Sequence, residues 1–297
     1  MSTGPAGHTA RSSDRPHSET ARRTRLRRFL RTVDGVTIDA VYEPGNVVYD
    51  GGTPPSTASR DAAPAAGRPA IVVAHGFTGD LERPHVRRAA SAFAQYGAVV
   101  TFSFRGHGAS GGRSTVGDRE VLDLAAAVAW ARELGHTRVV TVGFSMGGSV
   151  VLRHAALYGP EHEGRTQART DAVVSVSAPA RWYYRGTAPM RRLHWLVTRP
   201  VGRAVGRVGL RTRIHHRDWD PVPLSPVESV PRIAPTPLLI VHGDRDGYFP
   251  VDHPRMLAAA AQDHAELWLE PGMGHAEHAA DDALLSRIGA WAAAHAS

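Results

Sequence analysis

The chain has 297 residues, of which 42% are hydrophobic and 21% are charged, a composition typical of a globular protein. It contains no cysteine, and all 35 of its basic residues are arginine. These absences exclude disulfides, thiolate metal sites, a cysteine nucleophile, Schiff-base catalysis and a phosphate-loop lysine.

The net charge of +7 is concentrated in two segments. Residues 1–31 contain eight arginines and two acidic residues, and residues 181–217 contain ten arginines and no acidic residue. The remainder of the chain is therefore net acidic. This distribution argues against a protein that coats nucleic acid with a uniformly basic surface, and we expect no specific nucleic-acid partner.

The start of the chain is polar and rich in arginine. Residues 1–23 contain almost no apolar side chain, which predicts a disordered tail. Apolar segments over 26–33 and 36–42 flank Asp34-Gly35, which predicts an antiparallel hairpin. The start lacks the apolar core of a secretory signal, and no apolar run reaches the roughly 18 residues of a membrane span, so we expect a cytoplasmic protein.

After a predicted surface loop over residues 44–69, short apolar runs alternate with stretches of helix length. The apolar runs predict strands over residues 70–74, 98–104, 138–143, 171–177, 237–241 and 265–269. Strands that are apolar on both faces need cover on both faces, which predicts a mostly parallel sheet between two layers of helices. The predicted helices lie near residues 83–96, 118–134, 147–158, 252–262 and 277–294.

The alternation of strands and helices is interrupted once, between Pro179 and Pro235, where no strand is predicted. An insertion of this length above a sheet is usually functional. We therefore predict a cap over residues 180–230, inserted into a core formed by residues 24–179 and 231–297.

A serine lies at the junction of a predicted strand and a predicted helix, in the G-x-S-x-G segment Gly143-Phe144-Ser145-Met146-Gly147. Such a turn raises the serine hydroxyl above the edge of the sheet, and the two glycines permit a close approach of strand and helix. The pattern predicts a nucleophile. The alternative is a serine that caps the helix or binds phosphate at its N-terminus.

Two further strand ends carry candidate polar groups. The loop from His242 through Asp244 to Asp246 offers two carboxylates, and a glycine loop carries His275 near its tip. A lone histidine, in a chain with 17 of them, is more often an ordinary surface residue. The order serine, acid, histidine, each at a strand end, is nevertheless typical of one arrangement of nucleophile, acid and base.

Five motifs at strand ends together carry a resemblance: His75-Gly76-Phe77-Thr78-Gly79, Arg105-Gly106-His107-Gly108-Ala109-Ser110, the Ser145 turn, the His242–Asp246 loop and Gly274-His275. From about Thr32 to Ala294 the chain resembles the α/β-hydrolase family, particularly its small esterases, monoacylglycerol-lipase-like enzymes and serine-aminopeptidase-like enzymes. The resemblance implies an α/β-hydrolase fold: a mostly parallel central sheet with helices on both faces, an N-terminal antiparallel hairpin and an inserted cap.

The resemblance also implies roles for the polar groups. Ser145 would attack a carbonyl carbon, and His275 would accept the serine proton and deliver it to the leaving group. The acid of the family follows a His-Gly pair by three residues, which favours Asp246 over Asp244. Asp246 would then orient the imidazole and stabilise its charged form, while Asp244 would support the turn.

Backbone groups near the serine would stabilise the negative oxygen of a tetrahedral intermediate. The N–H of Met146 is one predicted donor, and the resemblance implies the N–H of Phe77 as the other. His75, Arg105 and His107 are expected to brace the loops around the site, with direct chemistry as the alternative.

The predicted cap is aromatic as well as basic, and contains Trp182, Tyr183, Tyr184, Trp195 and Trp219. We expect Trp182 and Tyr183, together with Tyr248 of the acid loop, to contact substrate. An apolar stripe at helical spacing comprises Leu193, Leu196, Val197, Val201, Val205 and Val208. We expect this stripe to pack on the sheet domain with the arginines outside. The alternatives are contact with an anionic membrane surface and attraction of acidic substrates.

The sequence therefore predicts a serine hydrolase that cleaves a small-molecule ester without a cofactor or a metal. Peptidase, thioesterase, acyltransferase and carbon–carbon hydrolase activities use the same residues and remain alternatives. A catalytically inactive scaffold that binds anionic lipid or nucleic acid is another. His215-His216 with Asp218 and Asp220 could imitate a metal site, but adjacent side chains diverge on regular structure, so we expect no metal there.

Overall fold

A computed structural model of the protein describes Met1 and residues 25–46, 67–159 and 166–296. Apart from Met1, the predicted tail over 1–23 lies outside these described residues, as does most of the predicted loop over 44–69. The order of the sheet and the position of the candidate site can both be read from the described part of the chain.

The described residues form one eight-stranded sheet in the order β1-β2-β4-β3-β5-β6-β7-β8. The strands are β1 Leu26–Arg31, β2 Thr37–Glu43, β3 Ala70–Ala74, β4 Ala98–Phe102, β5 Val139–Phe144, β6 Ala172–Val176, β7 Leu238–Gly243 and β8 Ala265–Glu270. The pairs β1/β2 and β2/β4 are antiparallel, and the other neighbours are parallel. Each predicted strand is present, with ends that differ by at most two residues. The predicted fold class is confirmed.

The helices are α1 Pro84–Phe93, α2 Glu120–Glu133, α3 Met146–Leu157, α4 Ala188–Thr198, α5 Pro200–Gly209, α6 Pro226–Ser229, α7 Asp252–Ala261, α8 Ala276–Ala279 and α9 Asp282–His295. The prediction of one helix over 277–294 is wrong, because α8 and α9 are separate. The Asp281 carboxylate accepts a hydrogen bond from the N–H of Leu284 at 2.8 Å and so caps the start of α9. None of the described helices is long and apolar enough to cross a membrane.

The core has two layers, one on each face of the sheet. Strands β3, β4, β5 and β6 are buried at every position, as expected from their largely apolar sequences. On one face they pack with α2, α3 and α7, and on the other face with α1 and α9. The parallel strands therefore all end at one edge, where the loops that follow them can meet.

A buried arginine connects the hairpin to the core. The Arg105 guanidinium donates hydrogen bonds to Asp123 of α2 at 2.8 and 2.9 Å and to Asp34 of the hairpin turn at 2.7 and 3.0 Å. A buried cation of this kind is tolerated only with such partners. These contacts support the predicted bracing role of Arg105.

The segment between β6 and β7 contains α4, α5 and α6. That residues 180–230 form a cap separate from the core stays a prediction. The expected packing of its apolar stripe on the sheet domain is wrong for α5, where Val201, Val205 and Val208 are 67%, 48% and 84% exposed. Glycine rather than valine occupies the packed side of α5, since Gly202 and Gly206 are its buried residues.

Candidate active site

Ser145 occupies a strained turn between β5 and α3. Its φ of +52° is in a region that residues other than glycine rarely adopt, at a typical cost of about 1–3 kcal/mol. A hydrogen bond from the Ser145 N–H to the carbonyl of Val176 on β6, 2.8 Å long, holds the turn against the sheet. The serine side chain is therefore presented at the carboxyl edge of the sheet, as the sequence predicts.

Three side chains from distant parts of the chain meet at this edge. His275 Nε2 lies 2.9 Å from Ser145 Oγ, and His275 Nδ1 lies 2.8 Å from Asp246 Oδ2. Because a carboxylate only accepts hydrogen bonds, the imidazole proton belongs on Nδ1, and Nε2 is left to accept from the serine hydroxyl. The arrangement gives the serine a base, and it gives the base an orienting acid.

Asp246 rather than Asp244 is the acid that contacts His275. The Asp246 carboxylate is buried, and its Oδ1 accepts hydrogen bonds from the N–H groups of Tyr248 and Phe249 at 2.8 and 3.0 Å. Burial raises the pKa of Asp246, but the hydrogen bond from His275, attraction to the protonated form of its ring and the hydrogen bond from the Phe249 N–H together outweigh burial and leave this pKa below its ordinary value. Asp244 instead accepts from the N–H of Gly272 at 2.7 Å.

Aromatic rings hold the imidazole on two sides. The Tyr248 ring stacks on His275 with centroids 4.2 Å apart and planes 25° from parallel, and Phe249 makes an edge contact at 5.6 Å. The same two residues donate their N–H groups to Asp246. The acid loop therefore positions both the carboxylate and the base.

The two predicted oxyanion donors lie beside the serine. Phe77, Ser145 and Met146 line one cavity, and Met146 is the first residue of α3, where backbone N–H groups lack intrahelical partners. Among the described residues, neither the Phe77 N–H nor the Met146 N–H has a protein acceptor. Both donors are thus available to a bound oxygen.

Glu277 supports the loop that carries Phe77. Its buried carboxylate accepts a hydrogen bond from the Gly76 N–H at 3.2 Å, next to Phe77 in the chain. The sequence analysis did not identify Glu277, because the proximity of residues 201 positions apart leaves no local pattern. Its only signal is an acid two residues after His275, in a segment that is otherwise mostly alanine and histidine.

Two buried histidines also brace this loop, and both are neutral. His75 Nε2 accepts from the Phe104 N–H at 3.0 Å and Nδ1 donates to the Gly76 carbonyl at 2.7 Å, while His107 Nδ1 donates to the Arg105 carbonyl at 3.0 Å. Burial lowers the pKa of His75 to about 3, with a further lowering from His107, and burial lowers the pKa of His107 to about 4.

These two histidines predict a loss of stability in mild acid. Their pKa values in the folded state lie below the unfolded value of about 6.5, so the unfolded chain binds more protons once the pH falls below about 6.5. We expect the free energy of unfolding to fall by about 1.4 kcal/mol per pH unit for each histidine between about pH 6 and pH 4.5. Urea unfolding at several pH values measures this slope. In His107→Asn we expect the free energy of unfolding to fall less steeply as the pH is lowered, by about the 1.4 kcal/mol per pH unit that one histidine contributes. A slope equal to that of wild type would contradict the lowered pKa of His107.

A cavity of about 500 Å³ opens over Ser145. Trp182 and Tyr183, both predicted to contact substrate, line it, whereas the third predicted contact, Tyr248, is not among its lining residues and stacks on His275 instead. The sequence analysis did not assign Leu193 and Val197 of α4 to the cavity, although both lie in the apolar stripe. Apolar and aromatic side chains thus form most of the cavity surface, which Arg181, Arg185, Arg217 and Asp218 also line.

The model of the alpha/beta hydrolase family matches residues 71–287, which is most of the chain. This chain belongs to the alpha/beta hydrolase family. The resemblance expected from the five motifs is confirmed.

The relatives of this hydrolase include lipases and esterases. It is 27% identical over 270 residues to the monoacylglycerol lipase of Mycolicibacterium smegmatis, a match that covers 77% of this chain and 85% of the relative. It is 30% identical over 172 residues to esterase LipC of Mycobacterium tuberculosis, which covers 53% of this chain and 40% of the relative.

Solved structures share the fold of the hydrolase. The Pyrococcus furiosus esterase Pf2001 matches with a TM-score of 0.66 at 21% identity, over 92% of this chain and 91% of the esterase. The alpha/beta hydrolase GrgF of Penicillium sp. sh18 matches with a TM-score of 0.64 at 19% identity, over 92% of this chain and 99% of GrgF. At these sequence identities, the structural similarity shows a shared fold alone.

Three candidate metal ligands that do not line the cavity lie close together. Within the described part of the chain, donor atoms of His85, Glu277 and His278 lie within 4.8 Å of one another. In the same part of the chain, the cluster considered from the sequence, His215-His216 with Asp218 and Asp220, is not such a group.

Proposed function

We propose that this hydrolase cleaves carboxylic esters through a Ser145–His275–Asp246 triad and an acyl-enzyme intermediate. The observation that carries the proposal is the continuous line of hydrogen bonds from Ser145 Oγ through His275 to Asp246, opening into the cavity. This line meets the geometric requirement for a nucleophile with its base and an orienting acid. A cytoplasmic location and a small-molecule ester as substrate are part of the proposal.

The first half of the reaction forms the acyl-enzyme. Ser145 Oγ bonds to the ester carbonyl carbon while its proton passes to His275 Nε2, and the carbonyl oxygen becomes negative. The intermediate collapses with cleavage of the carbon–oxygen ester bond, and the alcohol leaves with the proton from His275. Asp246 stabilises the imidazolium throughout, since its carboxylate stays ionised at a lowered pKa.

The second half returns the enzyme to its starting state. A water molecule attacks the acyl carbon while His275 accepts one of its protons, and that proton then goes to Ser145 Oγ as the carboxylic acid is released. In both halves the N–H groups of Phe77 and Met146 would donate hydrogen bonds to the negative oxygen. Removal of one such donor typically lowers the rate by about 10² to 10³.

The cavity supports an acyl or alcohol group of medium size. Its wall combines the rings of Trp182, Tyr183 and Trp219 with Leu193 and Val197. Apolar walls of this kind gain affinity from buried hydrocarbon, at about 0.8 kcal/mol per CH₂ group. The names of its relatives, a monoacylglycerol lipase and an esterase, agree with an ester of a fatty or other apolar acid.

A substrate series tests this proposal. Initial rates would be measured for p-nitrophenyl esters of increasing acyl length, a p-nitroanilide of an amino acid and an acyl thioester, with wild type and Ser145→Ala. We expect kcat/KM to rise from acetate to a medium-chain ester and then to fall, with slower cleavage of the amide and the thioester. No turnover of any compound contradicts the enzyme assignment, and a preference for the amide or thioester selects one of the alternative activities.

A pair of variants tests the cavity itself. Val197→Trp fills space along the wall, so we expect its best substrate to have a shorter acyl chain than that of wild type. Val222→Trp, at an exposed position outside the cavity lining, is the matched control and should keep the preference of wild type. An unchanged preference in Val197→Trp would mean that the acyl chain lies elsewhere.

A further inference from the structure

Helix α5 turns an apolar face to solvent. Val201, Val205 and Val208 recur at i, i+4 and i+7 and therefore share one side of the helix. Their exposed fractions are 67%, 48% and 84%. Trp195, on the adjoining helix α4, is 48% exposed. A surface helix normally buries its apolar side, so an apolar side that faces solvent indicates a binding surface.

The packing of α5 fixes this orientation. Its buried side is formed by Gly202 and Gly206. A Cβ at position 202 would clash with the main chain of Trp195 and Leu196, and a Cβ at 206 would press on Ile214. If α5 were rotated to bury its valines, their side chains would replace Gly202 and Gly206 at these close contacts and would clash with α4 and Ile214.

Arginines occupy the other side of α5. Arg199, Arg203 and Arg207 recur every four residues. Arg199 and Arg203 precede Val201 and Val205 by two positions, or about 200° around the helix, and Arg207 precedes Val208 by one position, or about 100°. They belong to the ten arginines of residues 181–217, a segment with no acidic residue. Among the described residues, only Arg181 of these ten has an ion pair, with Asp252 at 3.5 Å. The excess positive charge is therefore not balanced within the described fold.

We propose that the α5 surface, formed by Val201, Val205, Val208, Arg199, Arg203 and Arg207, binds the face of an anionic lipid bilayer. The valines would enter the boundary between headgroups and acyl chains. Arg207, about 100° around the helix from Val208, would reach the anionic headgroups with its long side chain, and Arg199 and Arg203 would add positive charge near the surface. The exposed Trp195 of α4 is of a residue type that favours this boundary, because an indole ring has an apolar body and a polar N–H.

The positive charge and the exposed apolar side chains of this surface together favour a lipid bilayer over other partners. A second copy of the chain would bring two arginine-rich segments together, and like charges across an interface are unfavourable. Nucleic acid would pair with the arginines but would leave the valines exposed. Helix α4 packs against α5, and its residues Leu193 and Val197 line the cavity, so a docked bilayer would lie close to the proposed site. This inference concerns where the hydrolase works and goes beyond the proposed reaction.

Flotation with lipid vesicles tests the proposal. Full-length protein is mixed with vesicles of ether-linked phosphatidylcholine, alone or with an equal part of ether-linked phosphatidylglycerol, so that the lipids contain no carboxylic ester for the hydrolase to cleave. We expect binding to the anionic vesicles that weakens at raised salt, and at least tenfold weaker binding to the neutral vesicles. Absence of binding to anionic vesicles, or equal binding to both kinds, overturns the proposal.

Matched variants locate the surface. The triple variant Val201→Ser, Val205→Ser, Val208→Ser and the double variant Arg199→Gln, Arg207→Gln should each bind anionic vesicles about tenfold more weakly, or worse. Their hydrolysis of a short soluble ester should match that of wild type, because none of these residues lines the cavity. The controls are Val33→Ser and the double variant Arg87→Gln, Arg255→Gln, at exposed positions elsewhere.

Three further results would overturn the proposal. The first is wild-type vesicle binding in both surface variants. The second is a dimer in sedimentation experiments that the serine substitutions dissociate, which would assign the valines to a second copy. The third is binding to duplex DNA that depends on the arginines, with no binding to vesicles. Because vesicle binding is measured without turnover, its failure is distinct from a failure of the proposed ester hydrolysis.

Discussion

Replacement of Ser145 with alanine is expected to lower kcat for a medium-chain p-nitrophenyl ester by about 10⁴-fold or more, since removal of a nucleophile of this class leaves only the contribution of binding and oxyanion stabilisation. The change removes one oxygen atom and leaves the cavity intact, so affinity for the carboxylic acid product should stay within about twofold of wild type. Steady-state kinetics and product inhibition measure the two effects.

The matched control for this prediction is Ser149→Ala. Ser149 lies one turn along α3, lines the same cavity, and its buried Oγ has no hydrogen-bond partner among the described residues. Its hydroxyl has no place in the proposed reaction, so Ser149→Ala should keep nearly full activity. Equal losses in the two variants would contradict the role of Ser145, because a general disturbance of α3 would then explain both.

Gly147→Ala is expected to be a highly damaging single-methyl substitution near the site. An added Cβ would lie less than 3.0 Å from the main-chain carbonyl groups of Ala74 and His75, and main chain within a buried strand cannot move aside. We expect the free energy of unfolding to fall by about 3 kcal/mol or more, or the chain to fail to fold. Chemical denaturation measures this change.

The same substitution should also impair catalysis in any protein that folds. Displacement of His75 moves the neighbouring Gly76 and Phe77, and a donor that is misplaced by about 1 Å can cost about 10²-fold in rate. Gly209→Ala is the control, because a Cβ at that position meets no atom within 4 Å. Stability and activity of Gly147→Ala close to those of Gly209→Ala would show that the close approach of α3 and β3 is not needed.

Much of the sheet could be predicted because its strands have local signatures. The run at Ala70–Ala74 is apolar at every position, and the run at Ala172–Val176 is apolar except for Ser175. Runs of this length and composition are typical of strands that are covered on both faces. The Asp34-Gly35 pair also indicated the hairpin, and Gly35 has a positive φ of +81°. The turn is longer than this pair, because β1 ends at Arg31 and β2 begins at Thr37.

The wrong predictions concern the orientation of α5 and the break between α8 and α9, both of which depend on contacts with other residues. The stripe through Val201 and Val208 has the spacing of a buried helix face, but the spacing does not show which side meets the protein, and here the glycines do. The break between α8 and α9 depends on the Asp281 side chain, whose capping role competes with helix continuation in a way that periodicity does not reveal.

The sequence identifies the residues that meet at the candidate site, but it does not show most of the contacts between them. Ser145 and His275 were identified because each follows a predicted strand, and parallel strands end at one edge. The choice between Asp246 and Asp244 needed the family pattern, and it agrees with the contact of Asp246 to His275. The stacking of Tyr248 on His275 and the bond from Gly76 to Glu277 join residues that no local pattern connects.

The measurement that tests the central claim most directly is covalent labelling with a fluorophosphonate, followed by mass spectrometry of the digested protein. An activated serine attacks phosphorus, a phosphorus–oxygen bond forms and fluoride leaves. We predict one adduct, on the peptide that contains Ser145, formed in step with the loss of ester hydrolysis and absent from Ser145→Ala. Labelling that persists in Ser145→Ala, or full hydrolysis by protein labelled at Ser145, would contradict the account.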